Sequence, residues 1–187
     1  MKDLIALAKS SDKPLTYGSA GGIGTIQHFV AEMFSQRAGI KMLHVPYKGQ
    51  GQALSALLSG EIQVMFLQPP VGVDFVKMGK LKALGFCGAS RWSILPDVPT
   101  LSESGLPDFQ IHGSYQGAIA PARTPRPILA KLHAEIKNTL NAQPVRDFFA
   151  AAGWEADGRG PDEFSAFLAS ELKRFGEIAR VANIRIN

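Results

Sequence analysis

The 187-residue sequence holds one cysteine, Cys87. A lone thiol excludes an intrachain disulfide framework and a multi-cysteine zinc site, and it is tolerated in reducing and oxidising compartments alike. No apolar run approaches the ~18 residues of a membrane-spanning helix; the longest blocks, such as residues 64–67, are strand-sized. No signal-peptide pattern is visible, because Met1-Lys2-Asp3 leads directly into a helical pattern without a small-residue cleavage site. The 20 Lys and Arg residues are scattered. Without a basic run, no nucleic-acid partner is expected. There is no Gly-x-Ser-x-Gly elbow, no Gly-Lys-Ser/Thr after a glycine-rich turn, and no pair of histidines at metal-ligand spacing. Acyl transfer, P-loop chemistry and metal or other cofactor binding therefore find no motif.

What remains is an ordinary globular composition, 45% hydrophobic and 19% charged, in a length suited to one domain or slightly more. The net charge of +4 favours anionic ligands through long-range steering. Residues 2–10 read as a helix and 15–17 as a strand. The glycine-rich turn Gly18-Ser19-Ala20-Gly21-Gly22-Ile23-Gly24-Thr25 follows. Ile26, Phe29, Val30, Met33 and Phe34 then repeat at helical spacing up to Gly39. The unit recurs: strand 41–45, loop Pro46-Tyr47-Lys48-Gly49-Gln50-Gly51, helix 52–58, strand 63–67, loop Gln68-Pro69-Pro70, helix 72–78 and strand 81–86. Such alternation predicts an α/β fold with a mostly parallel sheet. Residues 91–109 are irregular, with Thr100 placed to cap a short helix at 101–104. Residues 109–120, including His112, are strand-like. The final third predicts helices at 128–140, 144–152 (ended by Gly153) and 161–179.

Two strand-to-helix loops carry the candidate chemistry. At the first, unpartnered N–H groups of a helix start face a turn whose glycines admit a close approach, and Ser19 and Thr25 add hydroxyls. Such a turn holds a carboxylate or phosphate, or simply makes a tight connection. At the second, Tyr47 supplies an aromatic wall and Lys48 a steering charge, or the loop is only a solvated surface. His28 sits one turn into the helix as a ligand donor or a packed side chain. Cys87 follows an apolar strand, as a small buried hydrophobe does. Backbone donors and hydroxyls without an acid–base pair describe binding better than turnover, so no enzyme is expected.

Several blocks carry a resemblance. Leu15-Thr16-Tyr17-Gly18-Ser19-Ala20-Gly21, Gln27-His28, His44-Val45-Pro46-Tyr47-Lys48-Gly49, Leu95-Pro96-Asp97-Val98-Pro99-Thr100, Glu103-Ser104-Gly105-Leu106-Pro107 and Ala120-Pro121-Ala122-Arg123-Thr124-Pro125 occur in this order. Together they resemble the Bug-type solute-binding receptors of tripartite tricarboxylate transporters. The resemblance implies a type II periplasmic binding-protein fold, in which two α/β lobes close on a small carboxylate, and it implies membrane transporter subunits as partners. It maps ligand contacts onto Ser19, Ala20, Gly21, Gly22, Gly24, Thr25 and His28, onto Pro46, Tyr47, Lys48 and Gly49, and onto Gln68. At this last segment Leu67-Gln68 stands where an acid–asparagine pair is common, and Ser114-Tyr115-Gln116-Gly117 stands where the family often has Trp or Phe.

The resemblance also implies that residues 1–118 form the second-lobe ligand-binding domain. Residues 119–187 would be the crossover and C-terminal helices of an incomplete first lobe, the chain lacking its N-terminal part. The stripe Phe164, Phe167, Leu168, Leu172, Phe175 and Ile178 is then expected to be exposed and to be buried by a partner or in a homo-oligomer. Rival readings are the effector-binding domain of a transcription regulator and a small anion-handling enzyme acting through His28.

Overall fold

The computed structural model describes residues 1–111, 115–152, 154, 156–181 and 184. The chain divides into two compact units, one of residues 1–114 with 175–187 and one of residues 115–174. The first contains α1 (Lys2–Ser10), β1 (Leu15–Ala20), α2 (Ile26–Ala38), β2 (Met42–Tyr47), α3 (Gln50–Ser59), β3 (Val64–Met65) and α4 (Pro69–Lys77). The second contains α5 (Arg126–Asn141), α6 (Gln143–Ala152) and most of α7 (Pro161–Val181), whose last turns belong to the first unit.

Among the described residues the sheet has three strands, all parallel, in the order β2-β1-β3. The chain moves from β1 to one neighbour and then back past β1 to the other. Right-handed crossovers consequently place α2 and α3 on opposite faces. The register sets Tyr17 beside His44 and Ala20 beside Tyr47. Glycine at 18 is demanded by packing: a Cβ there would drive into Ile62 Cδ1.

The apolar stripe of α2 does what its spacing predicts. Val30, Phe34 and Ala38 are buried, with Ile26 and Met33 half-buried beside them, and they meet Ile40, Leu101, Leu106, Phe109 and Ile111. On the inner side, Tyr17, Ala31 and Val64 form a second cluster. Gly39 and Gly60 end α2 and α3 in the left-handed conformation that favours glycine, at φ 61° and 80°.

Five expectations are corrected. Residues 81–86 form no strand; Phe86 makes only a single parallel bridge to Thr100, since Pro96 and Pro99 deny donors to any longer ladder. Strand 63–67 shrinks to Val64–Met65 because Pro69 starts α4 early, and residues 109–111 and 115–120 are irregular. Residues 101–104 are turns rather than a helix. Thr100 and Glu103 nevertheless exchange both capping-box bonds, Thr100 N to Glu103 Oε2 at 2.7 Å and Glu103 N to Thr100 Oγ1 at 3.1 Å. The expectations for His112, Ser114 and Gly153 lie outside the described residues.

The fifth correction concerns the C-terminal stripe, most of which the chain covers itself. In the second unit the Phe164 ring fills the space a Gly117 Cβ would need, and Phe167 packs edge-on against Tyr115 with Arg159 above its ring. In the first unit Phe175 meets Phe29 edge-on and Ile178 is buried. Only Leu172 of the stripe is widely exposed; the open apolar face lies instead on α5, at Ile128, Leu132 and Ile136. Phe34→Ala is expected to cost ~3–5 kcal/mol in urea unfolding, whereas Leu172→Ala should stay within ~0.5 kcal/mol; equal losses would contradict this placement of the core.

Candidate functional site

Three adjacent parallel strands end at one edge of the sheet, and each leads into a helix. β1 feeds α2 through the glycine turn, β2 feeds α3 through Lys48-Gly49, and β3 feeds α4 through residues 66–68. The N-caps are Thr25, Gly49 and Gln68, and none makes a side-chain capping bond. The first-turn N–H groups of α2 and α3 thus lack both intrahelical and capping acceptors; at α4 Pro69 and Pro70 carry no N–H and the Val71 N–H donates to the Gln68 carbonyl at 3.0 Å, so that helix start offers no open amide. Helix N-termini add partial positive charge at this edge, where open α/β sheets collect ligands.

The glycine turn departs from a plain row of open donors. Gly21, Gly22 and Gly24 have φ of 85°, 85° and 82°, so the turn is built from left-handed steps that a side chain would strain. Three of its amides are engaged within the fold. Ala20 N–H donates to Gln27 Oε1 at 2.6 Å, Gly21 N–H to the Tyr47 carbonyl at 2.9 Å, and Gly24 N–H to His28 Nδ1 at 3.2 Å. The hydroxyls of Ser19 and Thr25 both donate to the Gly22 carbonyl, at 3.0 and 3.2 Å. Because the peptide is planar and trans, the Ile23 N–H then points to the opposite side. Of the turn's amides, those of Gly22, Ile23 and Thr25 take no part in these bonds, and with the first-turn amides of α2 they remain for a ligand.

Each predicted residue can now be placed. Ser19 is fully buried, and besides bonding Gly22 it lies 2.6 Å from His44 Nε2, so its hydroxyl shapes the turn from within. His28 is buried, with Nδ1 directed at the turn. Tyr47 is half-buried; its hydroxyl donates to Glu61 Oε1 at 3.0 Å, which leaves the ring as the surface it offers. Pro46 and Lys48 are exposed beside it and Gly49 opens α3. Gln68 is half-buried at the start of α4. Adjacent strand ends bring Ser19–Thr25 and Pro46–Gly49 together through Gly21–Tyr47, and β3 brings Gln68 to the same edge.

Sequence reasoning passed over the layer beneath. His44 stacks on His28 at 4.0 Å between ring centroids and on Tyr17 at 4.9 Å, and the Tyr17 hydroxyl donates to Glu32 Oε1 at 2.7 Å. Gln27 and His44 were both visible in the sequence. Their roles follow from the β1–β2 register, which local patterning does not reveal. Burial holds both histidines below the ordinary imidazole range, His44 to about 4 with the neighbouring His28 contributing, while Glu32 pulls His28 partly back up. Cys87 packs against the core, and burial pushes its thiol up to about 12, the state of a hydrophobe rather than a nucleophile. Among the described residues no group of three His, Cys, Asp or Glu side chains is placed to hold a metal.

Comparison with known proteins gives this geometry a family. A model described as tripartite tricarboxylate transporter family receptor, TctC, matches residues 1–184. The chain belongs to this receptor family. Curated relatives include a protein encoded in the tcbD-tcbE intergenic region of Pseudomonas sp. strain P51, 30% identical over 98% of this chain and 54% of its own length. Protein BugT of Bordetella pertussis is 28% identical over 98% of this chain and 56% of its own. The chain thus spans about half the length of these relatives. Among solved structures, Rpa4515 of R. palustris with adipate superposes with a TM-score of 0.85 at 27% identity, covering 98% of this chain and 61% of that one. MatC from Rhodopseudomonas palustris with bound malate gives 0.79 at 29% identity, over 95% and 61%. The chain's α/β fold with a parallel sheet is shared with these structures and with that of periplasmic binding protein BugD, at a TM-score of 0.82 and 27% identity.

A histidine whose folded value lies below its unfolded 6.5 destabilises the fold on protonation. Stability should be constant above about pH 6.5 and decline as the pH falls toward about 4. For a half-exposed ring, solvent screening reduces the loss to ~1 kcal/mol. His44→Gln, which keeps a donor for Ser19, should flatten this part of the urea-midpoint profile; a profile unchanged by the substitution would exclude His44 as its source.

Proposed function

We propose that this chain is the ligand-gripping part of a periplasmic solute receptor, and that it seats one carboxylate of a small organic acid at the C-terminal edge of β2-β1-β3. The observation that carries this reading is the convergence of two helix starts with open first-turn amides and no side-chain cap, those of α2 and α3, on one sheet edge. Family relatives solved with adipate and malate support the ligand class. Binding is non-covalent. Backbone amides of Ile23 and the first turns of α2 and α3 donate to the anion. Gly21, Gly22 and Gly24 permit its close approach, Pro46 and Tyr47 wall it, and exposed Lys48 attracts it. Ser19, Thr25 and His28 hold the turn in shape. Gln68 contributes from the α4 side.

In this reading residues 1–118 are the second-lobe binding domain and residues 119–187 are the crossover and C-terminal helices of the first lobe. A chain about half the length of its relatives then desolvates only part of the ligand, which weakens binding. The partners are the membrane subunits of a tripartite transporter and the location is the periplasm, both carried over from the family.

Calorimetric titration of the 187-residue chain with malate and with adipate tests the reading. Dissociation constants of roughly 0.1–10 mM are expected. Lys48→Gln should weaken binding by about threefold to tenfold at low salt, with the melting temperature unchanged. No heat with either acid at tens of millimolar would remove the carboxylate reading. Micromolar affinity would contradict the incomplete clamp.

A further inference from the structure

The stacked histidines lie directly beneath the glycine turn and each holds a different side of it. His28 Nδ1 accepts the Gly24 N–H at 3.2 Å, so the neutral ring carries its proton on Nε2. Ser19 gives its own proton to the Gly22 carbonyl, so the 2.6 Å contact to His44 is completed by His44 Nε2–H donating to Ser19 Oγ. The relay runs His44, Ser19, Gly22 on one side and His28, Gly24 on the other, with the two rings 4.0 Å apart and nearly parallel. We propose that the His28–His44 stack is a proton-sensitive lock on the glycine turn, which holds Gly22–Gly24 in ligand-ready shape while both rings are neutral and releases it when His28 is protonated.

A proton on His28 Nδ1 replaces the acceptor with a second donor facing Gly24 N–H, and that hydrogen bond cannot survive it. A second proton on His44 would set two like charges face to face at stacking distance. The order of protonation follows from the surroundings. Glu32, on the same helix as His28, favours charge there, while the neighbouring imidazole opposes charge on His44. From β1, Tyr17 and Ser19 face the pair; Tyr17 donates its hydroxyl to Glu32 and stacks on His44. β3 contributes only Val64 and Met65, and α3 carries no titratable side chain. From the part of α7 in the first unit, Phe175 packs edge-on against Phe29 of α2. Glu32 is thus the charge that sets where the first proton goes.

The device rests on the reading of the turn as an anion seat, and it makes a prediction opposite to plain electrostatics. Acidification makes the chain more positive, which should strengthen anion binding. Opening the lock should instead weaken it as the turn loses its shape.

The test follows hydrogen exchange at the Gly24 amide in the full 187-residue chain, corrected for intrinsic exchange, with far-ultraviolet circular dichroism on the same samples. Between about pH 7.5 and about pH 5, Gly24 protection should fall by about tenfold or more while the global signal holds. His28→Asn places Oδ1 where Nδ1 stood, which retains an acceptor that cannot titrate; in this variant Gly24 protection should be independent of pH. His44→Gln should leave the His28-driven loss in place. Between about pH 7.5 and about pH 5, malate affinity should fall by a larger factor in the wild type than in His28→Asn. Protection that does not change in the wild type, an equal loss in His28→Asn, or global unfolding ahead of local opening would each overturn the lock. Should malate fail to bind at either pH while Gly24 exchange keeps its His28-dependent profile, the anion seat is lost and the lock stands.

Discussion

The parallel pairing of β1 with β2 is the constraint on which the site depends. In that register Tyr17 lies beside His44 and Ala20 beside Tyr47, so both strands end at the same height. The glycine turn, which starts at the end of β1, is stitched to β2 by the bond from Gly21 N–H to the Tyr47 carbonyl. A slip of one residue would turn His44 to the other face of the sheet. Ser19 would lose its partner, His28 its stack, and the turn its support from below. Gly18 protects this register, since the packing of Ile62 over it leaves no room for a side chain.

Polar groups buried under the turn carry the specificity of its shape, and hydrophobic packing fixes the elements that present them. Val30, Phe34 and Ala38 lock α2 onto the core. That placement brings Gln27, His28 and Glu32, on the same helix, to the sheet edge and its underside. The hydrogen bonds there are short, between 2.6 and 3.2 Å, and each buried polar atom named has a partner. A network of this kind costs little when complete and much when one member is removed or charged. That asymmetry makes a two-histidine layer suited to positioning backbone amides and sensitive to protons.

Much of the fold was legible because local rules dominate it. The period of Ile26, Phe29, Val30, Met33 and Phe34 gives α2 its buried face, and Gly39 and Gly60 mark helix ends by their left-handed conformation. Pro161 with Asp162 and Glu163 marks the start of α7. The motifs at Gly18–Thr25 and Pro46–Gly49 were legible as strand-to-helix loops. Less legible was the region after α4. There the apolar residues of 81–86 satisfy a strand pattern, but two prolines in the facing segment leave a single bridge. Likewise, the aromatic stripe of α7 reads as an exposed face until Tyr115, Gly117 and Phe29 are brought against it.

By itself the sequence determined the alternation of strands and helices, the glycine conformations, the two loops that approach an anion and the family resemblance, because each rests on residues close together in the chain or on a string of short motifs. Only the tertiary structure decided that Ser19 faces inward, that three of the loop's amides are already engaged, and that His28 and His44 stack. The inward-facing serine and the stacked histidines depend on strand register and helix placement, which also carry the Tyr17–Glu32 and Ser19–His44 contacts, 15 and 25 positions apart along the chain. No local period or turn preference encodes them.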